Sequence, residues 1–176
     1  MPDTIHQLDT SLLTEMRTST GDSIFDMSYE RPVMLVFLRH FGCTFCREAL
    51  AELARIKTEI ESRGTTLVLV HMTDDETASK YFERYKIENP IWVNDPECRF
   101  YKGFGLVKGN FQQLFGLRSW VDGFKAFVNE GHFIGMQLGD GFQMPGVFTI
   151  HKGKVTDQFV HRVASDKPDY LRLCEC

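Results

Sequence analysis

Residues 33–47 read Val33-Met34-Leu35-Val36-Phe37-Leu38-Arg39-His40-Phe41-Gly42-Cys43-Thr44-Phe45-Cys46-Arg47. The first six are apolar and rich in strand formers, and the run is short, so it reads as a strand covered on both faces. Strands of this kind sit centrally in α/β sheets. After Cys43 the period changes. Cys46, Leu50, Leu53, Ile56 and Ile60 fall on one helical face, Glu52, Arg55, Glu59 and Arg63 lie among the rest, and Gly64 is placed to end the helix. A Cys-x-x-Cys thus stands where a buried strand turns into an amphipathic helix. The unpaired N–H groups and the positive dipole end at a helix start stabilise a thiolate, which supplies more nucleophile at neutral pH. The i,i+3 spacing brings the second sulfur to the same side of the first turn. From there it can attack a mixed disulfide or sulfenic acid formed on the first.

Working outward, Thr66-Leu67-Val68-Leu69-Val70 is a second buried strand, and Thr73 with Glu76 forms a capping box for another helix. Pro90-Ile91-Trp92-Val93 reads as a short third strand, and Asp95-Pro96 as an N-cap with a first-turn proline. The β-α-β-α order argues for parallel strands joined by crossover helices. Gly146 to Ile150 and Val155 to Val160 flank Lys152-Gly153-Lys154 as a hairpin. A second, smaller hairpin is expected around Thr20-Gly21-Asp22-Ser23, within residues 16–26, and a last helix through Tyr170-Leu171-Arg172-Leu173. The stretch 100–142 is irregular and holds eight of the fifteen Phe together with Trp120. Its aromatics either pack the segment onto the domain or form a hydrophobic wall beside an active site.

The chain has 176 residues, 43% hydrophobic and 25% charged, which excludes disorder, collagen and coiled coil as the main architecture and fits one domain over 1–176. Twenty basic against 24 acidic residues give a net charge of −4, which argues against nucleic acid as a partner. The longest apolar run, Val33 to Leu38, is far below the roughly 20 residues that span a bilayer. The start, Met1-Pro2-Asp3-Thr4, lacks the pattern of a signal peptide, so a reducing cytoplasm is the expected setting. Five cysteines in such a chain do not read as a disulfide framework. No Gly-x-Gly-x-x-Gly, phosphate loop or His-Glu-x-x-His is present, so no nucleotide, flavin or metal cofactor is expected.

Three runs carry a resemblance: Phe37 through Glu48, Gly139-Asp140-Gly141-Phe142-Gln143-Met144-Pro145-Gly146-Val147-Phe148, and His161-Arg162 with Asp166-Lys167-Pro168. They resemble the peroxiredoxin-like 2 group, an AhpC/TSA-type set within the thioredoxin superfamily. The resemblance runs from about Val33 to the end, strongest at the first motif and weak through 100–142. It implies an α/β thioredoxin-like fold with a central mixed sheet flanked by helices and an aromatic-rich insertion before the strand that follows a cis-proline, here Pro145. It also implies thiol-dependent peroxidase or disulfide reductase chemistry on a peroxide or disulfide substrate, some relatives acting on prostaglandin-type endoperoxides. Thioredoxin, glutaredoxin or glutathione would be the reductant. Cys43 and Cys46 are then the catalytic pair. Met144 and Pro145 present backbone to the substrate, and Arg39 and Arg47 are further candidates for substrate binding or for stabilising a thiolate by charge.

The sequence departs from true peroxiredoxins at one place. Their Pro-x-x-x-Thr-x-x-Cys motif, laid on this chain, puts Arg39 at the proline, Cys43 at the threonine and Cys46 at the peroxidatic cysteine. The thioredoxin alignment instead makes Cys43 the attacking thiol and Cys46 the resolving one. Helix-terminus geometry favours Cys43. Among the remaining candidates, Arg118 and Arg162 are later arginines of the kind peroxiredoxins use, and His40 is a hydrogen-bonding group at a strand end. Cys174 and Cys176 read as a frayed terminus, a redox tail or, with Cys43 and Cys46, four zinc-ligating thiols. Cys98 reads as an incidental thiol near a helix start. A non-catalytic module that holds a hydrophobic ligand or protein partner through 100–142 is the reading from a different class.

Overall fold

The computed structural model describes residues 8–109 and 140–174. Most of the aromatic stretch, with Arg118 and Trp120, and the terminal Cys176 lie outside the described residues. The described elements, in chain order, are α1 (Thr10–Glu15), α2 (Ile24–Glu30), β1 (Val33–Phe37), α3 (Thr44–Ser62), β2 (Thr66–His71) and α4 (Asp75–Arg84). They are followed by β3 (Trp92–Asn94), α5 (Arg99–Gly103), β4 (Gly146–His151), β5 (Lys154–Val160) and a 3-10 turn over Arg172–Cys174.

The strands form one mixed sheet in the order β3-β2-β1-β4-β5. β1 runs parallel to β2, from Val33 opposite Thr66 to Phe37 opposite Val70, and β2 runs parallel to β3. On its other side β1 is antiparallel to β4, from Val33 opposite Ile150 to Phe37 opposite Gly146. Successive residues of β1 feed two different cores. Met34, Val36 and Leu38 meet the apolar face of α3, including Leu50, Leu53, Ile56 and Ile60. Val33, Leu35 and Phe37 meet Leu13, Ile24, Tyr101 and Phe104 on the opposite face. Neither face of the strand reaches water, so the run carries no polar residue.

Helix α3 ends as its sequence predicts, with Gly64 at φ +82° just beyond Arg63. The β4–β5 hairpin turns through Lys152 (φ 51°) and Gly153 (φ 71°), a left-handed pair suited to the twist of the strands. Four local readings change. The hairpin expected within 16–26 shrinks to a single bridge between Arg17 and Ser23, because the Ser23 hydroxyl accepts from Asp26 N–H and starts α2. Asp74 rather than Thr73 caps α4, its carboxylate accepting from Thr77 N–H. The helix expected at Asp95-Pro96 begins at Arg99. Asp95 still serves it, accepting from the N–H groups of Arg99, Phe100 and Tyr101 across an intervening turn. The last helix is only a 3-10 turn, displaced to Arg172–Cys174.

Candidate active site

Tyr101 is fully buried and holds the carboxyl ends of the two central parallel strands together. Its hydroxyl donates to Leu38 O (2.6 Å) and Val70 O (3.0 Å). The chain then crosses from β1 to α3 through residues 38–43. Phe41 anchors this crossing, 1% exposed, stacked on Tyr81 (4.6 Å, 14°) and edge-on to Phe82. An anchored turn fixes where the helix starts, and Cys43 is its N-cap, in extended conformation. Cys43 N–H donates to His40 O (3.0 Å), and Arg47 N–H donates to Cys43 O (3.2 Å).

The Cys43 sulfur is half-buried and makes no capping bond to the helix amides. Its partner is a cation: Arg39 Nη1 donates to Sγ at 2.9 Å. Arg39 is no surface arginine. It is 6% exposed, and its Nη2 donates to Gly141 O at 2.5 Å, across 102 residues of sequence. Cys46 lies one turn on and is 3% exposed, its thiol donating to Arg39 O at 3.4 Å. Burial first, and the adjacent Cys43 second, push the Cys46 thiol up, so it holds its proton. Arg39 therefore touches both cysteines, one through its guanidinium and one through its carbonyl. Arg47, the other flanking candidate, turns its Nε to Phe41 O (3.2 Å) and braces the turn.

Behind Cys46 a cleft opens between α3, the start of β4 and the 161–170 segment. Arg39, Cys46, Pro145 and His161 line it among apolar walls that include Phe45 and Val147. Lys167 Nζ lies 3.4 Å from a Glu48 carboxylate oxygen, an ion pair joining the 161–170 segment to α3. Two histidines flank the site, and both are neutral above acid pH. Desolvation, aided by Arg39, lowers His40 to about 4, and desolvation lowers His161 to about 4 against the opposing pull of Asp166. His161 belongs to one of the runs that carry the resemblance, but nothing in its local pattern marks it as a wall of this cleft; only its position in space does.

Pro145 lines the cleft with Cys46 and Arg39, and its peptide geometry differs from the cis form expected. The Met144–Pro145 bond is trans, the lower-energy form of an X-Pro bond. Met144 is 3% exposed and its backbone is already engaged: its N–H donates to Val107 O (3.3 Å) and its carbonyl accepts from Gln143 Nε2 (3.3 Å). Cys174 itself is not on a frayed segment. Cys174 is 6% exposed in the same core as Cys46, and its Sγ donates to Tyr170 O (3.2 Å). Cys98 is the N-cap of α5, in a left-handed conformation (φ 53°), buried against Met72. Among the described residues no group of three or more His, Cys, Asp or Glu comes together as a metal site.

Comparison with known proteins bears on the family and the fold. The sequence profile of the AhpC/TSA antioxidant enzyme family matches residues 52–165, a span that begins after both cysteines of the motif. Human peroxiredoxin-like 2A is 30% identical over 167 residues, covering 94% of this chain and 69% of that protein. The prostamide/prostaglandin F synthase of Salmo salar is 27% identical over 168 residues, 90% of this chain and 80% of its own length. Among solved structures, a cysteine-to-serine mutant of Xylella fastidiosa PrxQ superimposes with a TM-score of 0.64 at 12% identity, covering 94% of this chain and 87% of that one. A cysteine-to-serine mutant of the Arenicola marina peroxiredoxin 6 gives 0.62 at 12% identity, over 92% and 70%. The fold is the thioredoxin-like peroxiredoxin α/β fold, with a mixed five-stranded sheet flanked by helices, and the chain belongs to the AhpC/TSA antioxidant enzyme family.

Proposed function

We propose that this protein is a thiol-dependent peroxidase or disulfide reductase in which Cys43 attacks and Cys46 resolves. The observation that carries the reading is the 2.9 Å hydrogen bond from buried Arg39 to the Cys43 sulfur. A sulfur anion accepts a charge-assisted bond far better than a thiol does. Cys43 is also the more accessible of the two sulfurs, while Cys46 stays protonated behind it.

With a peroxide, the Cys43 thiolate attacks one oxygen, the O–O bond breaks, and the departing oxygen leaves as an alcohol or water after taking a proton. Cys43 is then a sulfenic acid. Its negative charge is gone, and with it the part of the upward push on Cys46 that came from Cys43. Cys46 attacks the sulfenic sulfur, water leaves, and the pair becomes a disulfide, having given up two electrons. With a disulfide substrate the same attack forms a mixed disulfide, which Cys46 displaces. A thiol reductant, thioredoxin, glutaredoxin or glutathione, returns the pair to dithiol in a reducing compartment, which we place in the cytoplasm.

The test mixes reduced protein with one equivalent of hydrogen peroxide, quenches by alkylation at intervals, and maps each cysteine by mass spectrometry. A Cys43–Cys46 disulfide forming much faster than a free-thiol control oxidises, with transient sulfenic acid on Cys43, is the expected result. Oxidation no faster than the control removes peroxide as the oxidant. If substrate disulfides are also left unreduced, the protein is a binding module of this fold.

A further inference from the structure

Arg39 joins two things that are far apart in sequence. One guanidinium nitrogen is on the Cys43 sulfur and another is on the carbonyl of Gly141, in the turn that leads into Pro145 and β4. The third nitrogen, Nε, is buried with no partner among the described residues. A buried cation already short of one acceptor depends on the acceptors it has, and one of these is a reduced sulfur able to carry charge. The turn has other ties: Asp140 N–H to the Met72 sulfur (3.0 Å), Gly109 N–H to Phe142 O (2.7 Å), the Lys108–Asp140 ion pair (2.5 Å) and the Gln143 amide to Leu106 O (2.9 Å), with the His40 ring beside Gly141. Arg39 is the group that hydrogen-bonds both the turn and a cysteine sulfur.

We infer that Arg39 is a redox-operated clamp, holding the 140–143 turn against the active site while Cys43 is reduced and releasing it when Cys43 and Cys46 are joined as a disulfide. A disulfide sulfur carries no charge and is a weak acceptor. With that bond gone, the guanidinium keeps one partner for its buried charge and gains by turning toward water. Turning breaks the bond to Gly141 O, because both bonds are made by one rigid planar group. The oxidation state of the sulfurs is thereby written on the protein surface beside them, where Phe142 is half exposed. A reductant can then tell the protein that needs it from the protein that does not. The clamp rests on the Cys43–Cys46 pairing proposed above, and does not require peroxide as the oxidant.

The test uses diamide, so that it stands apart from the peroxide reaction. The Cys43 thiolate adds to the diazene nitrogen, Cys46 displaces the adduct, and the S–S bond forms as two electrons and two protons pass to the hydrazine product. Amide hydrogen exchange is then followed in peptides covering 140–144, where the Phe142 N–H donates to Asp140 Oδ1 and the Gln143 N–H to Asp140 O. Oxidation should speed exchange there on the order of tenfold, with β1 and β4 unchanged. Reduced Cys43→Ala should already exchange at the fast rate, since the sulfur is missing, and Arg39→Gln should be fast and insensitive to oxidation. Equal exchange in reduced and oxidised wild-type protein, with the disulfide verified by mass, overturns the clamp. So does a redox difference that survives in Arg39→Gln. If peroxide fails to oxidise the pair but diamide produces the expected change, the peroxidase reading falls and the clamp stands.

Discussion

Replacing Tyr101 with Phe removes one oxygen atom from the point where the fold meets the site. The ring is fully buried, in edge contact with Phe37 at 5.0 Å, and Phe keeps that volume, so no cavity forms. What is lost is the hydroxyl bridge to Leu38 O and Val70 O. Val70 O keeps the bond from Leu38 N–H at 2.9 Å, whereas Leu38 O loses this donor inside the core. A net hydrogen bond contributes about 1 kcal/mol and a carbonyl left unpaired in the interior costs a further 1–2, so the substitution should cost about 2–3 kcal/mol. At roughly 2–4 °C per kcal/mol for a chain of this size, the melting temperature should fall by about 4–12 °C. Thermal unfolding by circular dichroism, with a urea titration to check that the m-value is unchanged, measures this directly. A fall of less than about 1 °C would refute the view that this phenol holds the two strand ends together beneath Arg39.

Cys46→Ser should let Cys43 oxidise but leave it as sulfenic acid, visible as a dimedone adduct with no internal disulfide. Cys43→Ser should leave Cys46 slower toward alkylating agents than an ordinary free thiol, as expected for a buried thiol pushed up; equal or faster reaction would reverse the assigned roles. Stability should also depend on pH through His40 and His161. Both are lowered to about 4 in the folded protein from the ordinary 6.5, so between those values the unfolded chain binds more protons. The stability they contribute is therefore present above about pH 6.5 and is lost as pH falls toward 4. The urea midpoint should drop between pH 7 and pH 5, and the drop should shrink in His161→Gln; an equal midpoint at both pH values would count against the burial of these rings.

Much of the architecture was legible in the sequence because it is set by local rules. A six-residue apolar run with no polar side chain fits only a strand covered on both faces, and β1 sends alternate residues into the two cores. The periodicity after Cys43 fixed the buried face of α3, and Lys152-Gly153 fixed a tight hairpin. Signals one or two residues wide were less secure. Thr73 lost the cap to Asp74, since both are able caps and the helix geometry selects one. Asp95 accepts from the first amides of a helix that starts four residues later, with Cys98 at its N-cap position. The small hairpin gave way because Ser23 caps α2.

The chemistry divides in the same way. Sequence alone determined that two thiols stand at the first turn of a helix leaving a buried strand, since spacing and apolar pattern are local properties of the chain. Tertiary structure alone decided what those thiols meet. An arginine beside a Cys-x-x-Cys is ordinarily a solvated side chain; this one is buried because Gly141, 102 residues away, brings it an acceptor and Cys43 brings it another. The same holds for His161 on the wall of the cleft and for Cys174, drawn into the core beside Tyr170 rather than left loose. A buried charge or a buried thiol is defined by the groups that exclude water from it. Those groups come from distant segments, and only the folded chain assembles them.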